Sequence, residues 1–319
     1  MKSVKNIIFW SRLLLKWVRI LRGHSYFHQP QGIGKAFKPG ELAGYFNDLT
    51  GKTQWTGETD YRGIPINVLA NGCRIYFATT IVQKALGHWD RWLLKQGDYH
   101  KEEFLQLCLW LLTQQDEQGG WPIWSTLGLF LPSPYSAMTQ GECISIFVRA
   151  WKLTGDPSFT EGARKALGLL CKPLEEGGPA IRENENLFLE EVPSIPRASI
   201  LNGCVFSLFG FYDFWLAFDD DNARDLFQHS LNTLKRHLVE YDAGYWSYYD
   251  IRGHLASPFY HDLHISQLTA LFMVDEDPII AKQRDRWIWY RSRRSNRIRA
   301  FFIKAIQKFR NPGEVVIVQ

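Results

Sequence analysis

From Tyr76 onward, apolar residues recur at the three-to-four-residue spacing of a helix, and eight segments carry the pattern: 76–94, 100–115, 135–154, 157–174, 199–218, 221–240, 259–274 and 278–309, the last interrupted. The segments come in pairs separated by turns rich in Gly, Pro and Trp. The first members begin near Tyr76, Tyr135, Ser199 and Tyr260, a repeat of about 60 residues. A helical hairpin cannot bury its apolar face alone, so about four of them predict an all-α protein, an (α/α) toroid with the first helix of each pair inside and the second outside. Short aromatic segments at 119–124 (GGWPIW), 186–192 (NLFLEEV) and 244–252 (GYWSYYDIR) predict β-hairpins or extended loops on one rim, facing the N-terminal ends of the inner helices. Residues 24–75, with eight glycines and few long apolar runs, read as an irregular lead-in packed on the toroid with a small strand pair.

Composition adds little until it is divided along the chain. With 45% hydrophobic and 22% charged residues, the protein is globular rather than disordered. The formal charge of +4 is a remainder. Residues 1–23 carry six Lys/Arg and no acid, residues 282–319 carry eleven Lys/Arg against Asp285 and Glu314, and the body from 24 to 281 is therefore −11. That body is no nucleic-acid surface. The pattern divides the chain into a basic amphipathic helix (1–23), the lead-in (24–75), the toroid (76–281) and a basic amphipathic C-terminal segment (282–319).

In residues 1–23, Arg12, Lys16 and Arg19 interrupt every apolar run before it is long enough to span a bilayer. Cationic faces beside Trp, Phe, Ile and Leu, in residues 1–22 and again in 286–310, predict peripheral attachment to an anionic membrane surface at its cytoplasmic side. Packing of both apolar faces on the domain is the plainer alternative. A homodimer is left open. Cys73, Cys108, Cys143, Cys171 and Cys204 form no CxxC pair and lie in apolar runs, which reads as buried free thiols.

Ionisable and aromatic groups concentrate in three rim segments: Glu190-Glu191, Tyr248-Tyr249-Asp250-Ile251-Arg252 and Tyr260-His261-Asp262-Leu263-His264. On the residues alone, Glu191 could be a solvated loop acid, Tyr249 and Tyr260 core tyrosines with one satisfied hydroxyl, and Arg252 a partner of Asp250 or Asp262. His261 and His264 have ligand spacing, but no third ligand is identifiable, so no metal is expected, and the sequence calls for no cofactor. Asn202 opens one inner helix, Tyr135 and Gln140 open another, and Trp121 and Trp124 offer flat faces that serve equally as core.

Several of these segments resemble, in order, one family. YSAMTQGECISIFVRAWKLTGD (135–156), EVPSIPRASILNGCVFSLFGFYDF (191–214), YYDIR (248–252), YHDLHISQL (260–268) and, upstream, IVQKALGHWDRWL (81–93) are similar to the catalytic C-terminal domain of D-glucuronyl C5-epimerases, the heparosan-N-sulfate-glucuronate 5-epimerase type. The resemblance covers roughly residues 60–280. It implies an isomerase that converts D-glucuronate to L-iduronate within a heparosan-like polysaccharide by removing and returning the C5 proton. Glu191 matches the family's acid/base carboxylate, Tyr260 a tyrosine on the opposite face, Tyr249 a site tyrosine and Arg252 a carboxylate-binding arginine.

Tyr135, Gln140, Asn202, His261, Trp121 and Trp124 are then the expected contacts to a uronate-containing polysaccharide. The sequence departs from the pattern at Val192, where the family carries a tyrosine. A uronate lyase sharing the same carbanion, and an inactive glycan-binding or assembly protein, are the alternative readings. A terpene-cyclase-like toroid lacks the acid cluster it would need.

Overall fold

Where the helices begin and end follows from their flanking residues. The computed structural model of the protein describes residues 29–310. The basic helix expected over 1–23 lies outside the described residues, as do residues 311–319. Four hairpins run α1 (Ala78–Leu93) and α2 (Tyr99–Thr113), α3 (Ala137–Thr154) and α4 (Pro157–Leu170), α5 (Leu201–Phe218) and α6 (Asp221–His237), α7 (Pro258–Val274) and α8 (Pro278–Ser292), followed by α9 (Arg294–Arg310).

Three of the four second helices are started by aspartate caps: Asp156 accepts from Ser158 N, Asp220 from Ala223 N and Asp277 from Ile279 N, with proline at the first turn of α4 and α8. Left-handed residues stop the first helices of two pairs, Gly155 (φ 73°) after α3 and Asp219 (φ 50°) after α5. The pattern in sequence thus gives the right pairs. α4 ends at Leu170, ahead of Pro173, and α6 passes into a 3₁₀ turn over Leu238–Tyr241.

Inner and outer helices differ in burial as expected. Every residue of α3 from Ala137 to Ala150 is buried, and α5 is buried nearly all round, whereas α4 and α6 bury one face only. α5 is long and apolar enough to span a membrane, yet it is mostly inside the protein, as a central core helix must be. The inner row runs α1, α3, α5, α7, each helix backed by its outer partner, which is the layering of an (α/α) toroid. α3 and α5 meet backbone to backbone. A Cβ on Gly141 would stand 2.6 Å from Ser207 Cα, and one on Gly210 2.6 Å from Gly141 Cα, so neither position accepts a side chain.

The lead-in is anchored by polar bonds as well as by aromatic packing. Tyr45 N donates to Asp90 Oδ1 (2.8 Å), and the Phe46 ring stacks on Phe209 at 3.8 Å. Arg149 of α3, itself buried, donates to the carbonyls of Ala43 and Gly44 and pairs with buried Asp213 of α5 at 2.5 Å. Instead of a strand pair, the lead-in carries a three-stranded antiparallel meander, β1 (Glu58–Thr59), β2 (Pro65–Val68) and β3 (Arg74–Ile75).

Of the three aromatic rim segments, 186–192 forms a hairpin: β4 (Ala180–Glu183) pairs with β5 (Asn186–Leu189) in the register Ala180↔Leu189. Residues 244–252 are an extended loop held by the bridges Asp242↔Ser247 and Tyr248↔Leu255. The segment 119–124 is not extended. Asp116 takes Gly119 N on its carbonyl and Gly120 N on its side chain, and the chain then enters a single helical turn over Ile123–Thr126. All five cysteines are free thiols, but Cys73, ahead of β3, is exposed rather than buried.

Candidate active site

Two rim loops reach the inner helices by backbone ties. The carbonyl of Glu190 accepts from Ala137 N at the start of α3, and the carbonyl of Tyr249 accepts from Leu201 N at the start of α5. Both helices lack a side-chain cap, so these loops satisfy amides that would otherwise be orphaned. Glu190 is itself structural. Fully buried, its carboxylate accepts from Ala198 N, Ser199 N and Ser199 Oγ and closes the 190–199 loop. Asp250 closes the next loop, accepting from Arg252 N and His254 N.

The Glu191 side chain lies on the first turn of α5. Its Oε2 accepts from Asn202 Nδ2 at 3.3 Å, and its backbone carbonyl accepts from Trp124 Nε1 at 3.1 Å. Only glycine at 203 leaves room, because a Cβ there would stand 2.3 Å from Oε2 and 2.5 Å from the Glu191 Cβ. Loss of water, and secondarily the charge of Glu190, push the Glu191 carboxyl up to about 7, against the pull of the Asn202 hydrogen bond. Gly203→Ala is expected to lower any chemistry done by Glu191 by about 100-fold through displacement of the carboxyl. The 2.5 Å approach to the Glu191 Cβ also obliges the 190–199 loop to shift, so the melting temperature should fall as well. Turnover and melting temperature measured on one preparation check this.

Tyr249 and Tyr260 pack together, ring centroids 4.7 Å apart, and their hydroxyls share a hydrogen bond. Burial first, and then the charge of Glu191, raise both phenols. Tyr249 and Tyr260 are therefore proton donors at neutral pH. A lowered phenol pKa under the influence of Arg252, which a tyrosine base would require, is not what the structure has.

Arg252 is exposed, and its guanidinium holds Ser194 Oγ (2.8 Å) and the carbonyls of Pro196 and Arg197, bracing one rim loop against the other.

Several expected contact residues are turned elsewhere. His261 is fully buried and stacked on Trp246 at 3.7 Å, with Nδ1 meeting Ser247 Oγ and N and Nε2 meeting the carbonyl of Trp287, so both ring nitrogens are spent inside the protein. Gln140 is fully buried with its amide on the carbonyls of Gly119 and Ala166. Trp121 is core, donating to Leu111 O, whereas Trp124 is half-buried and serves as the Glu191 brace. Tyr135 is buried with its hydroxyl on Asp116 Oδ2 (2.7 Å). For His261 and Gln140 sequence adjacency misled because neighbours on a helix point about 100° apart. Among the described residues no group of three His, Cys, Asp or Glu is arranged to hold a metal ion.

One carboxyl escaped the sequence reading. Glu142 on α3 is fully buried, its Oε1 accepts from Gln83 Nε2 of α1 at 3.0 Å, and its Oε2 has no partner among the described residues. Burial and the charge of Glu191 push it up to about 8, with Gln83 and Lys52 pulling the other way. Nearby, Thr79 and Thr139 bond hydroxyl to hydroxyl at 2.8 Å. The signal was present in the sequence: these pairs lie 60 and 59 residues apart, one repeat, so equivalent polar positions of successive inner helices meet in the ring.

Glu142 is protonated in the folded protein up to about pH 8, but in the unfolded chain only up to about 4.5. Stability is therefore lost as pH rises between these values. Glu142→Gln keeps the Gln83 bond and is expected to raise the melting temperature at pH 8–9 while leaving it unchanged at pH 4. Melting curves at the two pH values decide this.

A half-buried carboxyl near neutrality thus lies beside two protonated tyrosines on the toroid rim. Comparison with known proteins gives the lineage. Residues 115–289 match the family model described as D-glucuronyl C5-epimerase C-terminus, and the chain belongs to that family. It is 30% identical over 223 residues to the D-glucuronyl C5-epimerase of Caenorhabditis elegans, covering 62% of this chain and 36% of that protein. It is also 30% identical over 155 residues to an uncharacterized protein of Methanocaldococcus jannaschii, covering 47% of this chain and 50% of the relative. The chain thus spans no more than half the length of either relative. Among solved structures, the unsaturated glucuronyl hydrolase of Bacillus sp. GL1 aligns over 69% of this chain and 61% of its own, with a TM-score of 0.43 and 15% identity.

Proposed function

We propose that the protein is a C5-epimerase acting on D-glucuronate residues within a polysaccharide and giving L-iduronate. The observation that carries this reading is the Glu191 carboxyl, held near pH 7 beside Tyr249 and Tyr260. A C5 hydrogen α to a carboxylate is a weak acid, and a base whose pKa matches the working pH is the effective choice. In the forward step the C5–H bond breaks, Glu191 takes the proton, and the electron pair moves into the uronate carboxylate. Tyr260 then delivers its proton to the opposite face of C5, and the stereocentre inverts. The Tyr249 hydroxyl, bonded to that of Tyr260, stabilises the tyrosinate until the proton held by Glu191 returns it to the starting state. Arg252 is the nearby rim cation suited to the uronate carboxylate once its bracing contacts open.

The substrate best matched to a body of net charge −11 is an unsulfated glycan, since a heavily sulfated one would be repelled. Incubation of unsulfated glucuronate polymers with the protein in deuterated water, read by NMR, tests the proposal. Deuterium at C5 together with iduronate signals is the expected result. No exchange with any uronate polymer overturns it, and an unsaturated uronate product assigns a lyase instead.

A further inference from the structure

The C-terminal helix α9 has two faces of different character. Its inner stripe, Ala300, Ile303 and Gln307, packs on the body: Ala300 is buried, and Gln307 donates to Gly253 O (3.0 Å) and accepts from Leu255 N (2.9 Å). Its outer stripe, Ile298, Phe302 and Ile306 at four-residue spacing, is exposed at 54%, 60% and 50%, and Ile288 and Trp289 at the end of α8 extend the apolar area. Residues 286–310 contain nine Lys/Arg and no Asp or Glu. Arg293, Arg294, Arg297 and Arg299 are exposed along this surface.

We propose that this α8–α9 surface docks on an anionic lipid bilayer, lying in the headgroup plane with Ile298, Phe302 and Ile306 inserted and the arginines on lipid phosphates. An apolar stripe alone would suit many occupants. A stripe carried on a segment with nine cations and no acid, of which Arg286 and Arg291 pair with Asp242 and Asp262 of the body, suits a negatively charged surface, and it disfavours both a second copy of the same face and the cationic segment 1–23 of the chain itself. A spanning arrangement is excluded for α9 by its arginines and lysines.

The docked helix is joined to the rim. Gln307 holds both ends of the Gly253–Leu255 stretch, and the Arg299 guanidinium lies 3.9 Å from the Tyr245 ring centroid. Arg291 pairs with Asp262, two residues beyond Tyr260. These contacts brace the 245–255 loop, which carries Tyr249, and the first turn of α7, which carries Tyr260, against the membrane-facing element. The docking inference does not depend on the reaction proposed above.

Flotation of the full chain with phosphatidylcholine vesicles, with and without about a third phosphatidylglycerol, tests the docking. Binding to the anionic vesicles, weakened at least tenfold by Ile298→Ser/Phe302→Ser/Ile306→Ser and by added salt, is expected. Because the three residues are exposed, an unchanged melting temperature certifies the variant. Binding by the variant within twofold of wild type, equal binding to neutral vesicles, or loss of a dimer as the variant's only effect each overturns the proposal. Amide exchange in residues 245–255 should slow on anionic vesicles, and Gln307→Ala should abolish that slowing without changing flotation. Equal exchange with and without vesicles sinks the coupling.

Discussion

Glu191→Gln is expected to reduce C5 hydrogen exchange by about 1,000-fold or more, the effect of removing a positioned general base. The amide keeps the size of the carboxyl and its contact with Asn202, so the fold and substrate affinity should survive. The pH dependence makes the assignment specific. With the carboxyl near pH 7, the wild-type kcat/KM should fall about tenfold per unit as the pH drops below that value, because protonation removes the base. It should level off above it, since Tyr249 and Tyr260 keep their protons there. Residual exchange in the variant should lack the acid limb. Near wild-type exchange with the limb intact would transfer the role of base to another group.

The second large effect is on stability. Arg149 and Asp213 are buried between α3 and α5, and Arg149 also carries the carbonyls of Ala43 and Gly44. Asp213→Ala leaves a guanidinium without its counter-charge in a dry interior, which costs about 3–5 kcal/mol, or roughly 10 °C of melting temperature in a domain of this size. Replacing both partners, Arg149→Met with Asp213→Leu, should recover much of the loss in the helix pair, because the uncompensated charge is then gone. It should not fully restore the lead-in, because the Gly44 carbonyl loses its Arg149 donor and Ala43 is left with Trp89 Nε1 alone. Proteolysis before Tyr45 should therefore remain faster in the double variant than in wild type.

The helices and their pairing were legible because burial imposes a period. Ala137 to Ala150 is apolar enough to be read as an inner helix from spacing alone, and the turns at Gly155-Asp156-Pro157 announce themselves. The candidate site residues were singled out only through a family resemblance. Nothing local separates Glu191, which stands on α5, from Glu190, which is consumed by its own loop. Glu142 was missed for the opposite reason. An acid in a buried apolar helix breaks the pattern, and it makes sense only beside Gln83, a repeat away. His261 points inward because a motif fixes residue types but not the side of the helix each one faces, and Trp121, in the turn ahead of Ile123–Thr126, packs into the core.

The two backbone ties bear on how such a protein diversifies. Glu190 and Tyr249 are moored by their own carbonyls to helix starts, through atoms that every amino acid possesses. Side chains beyond each mooring can change without releasing either tie. On the proposed function, new substrate preferences are therefore open to side-chain change at 192–196, whereas 251–256 is held by Asp250, Arg252 and Gln307.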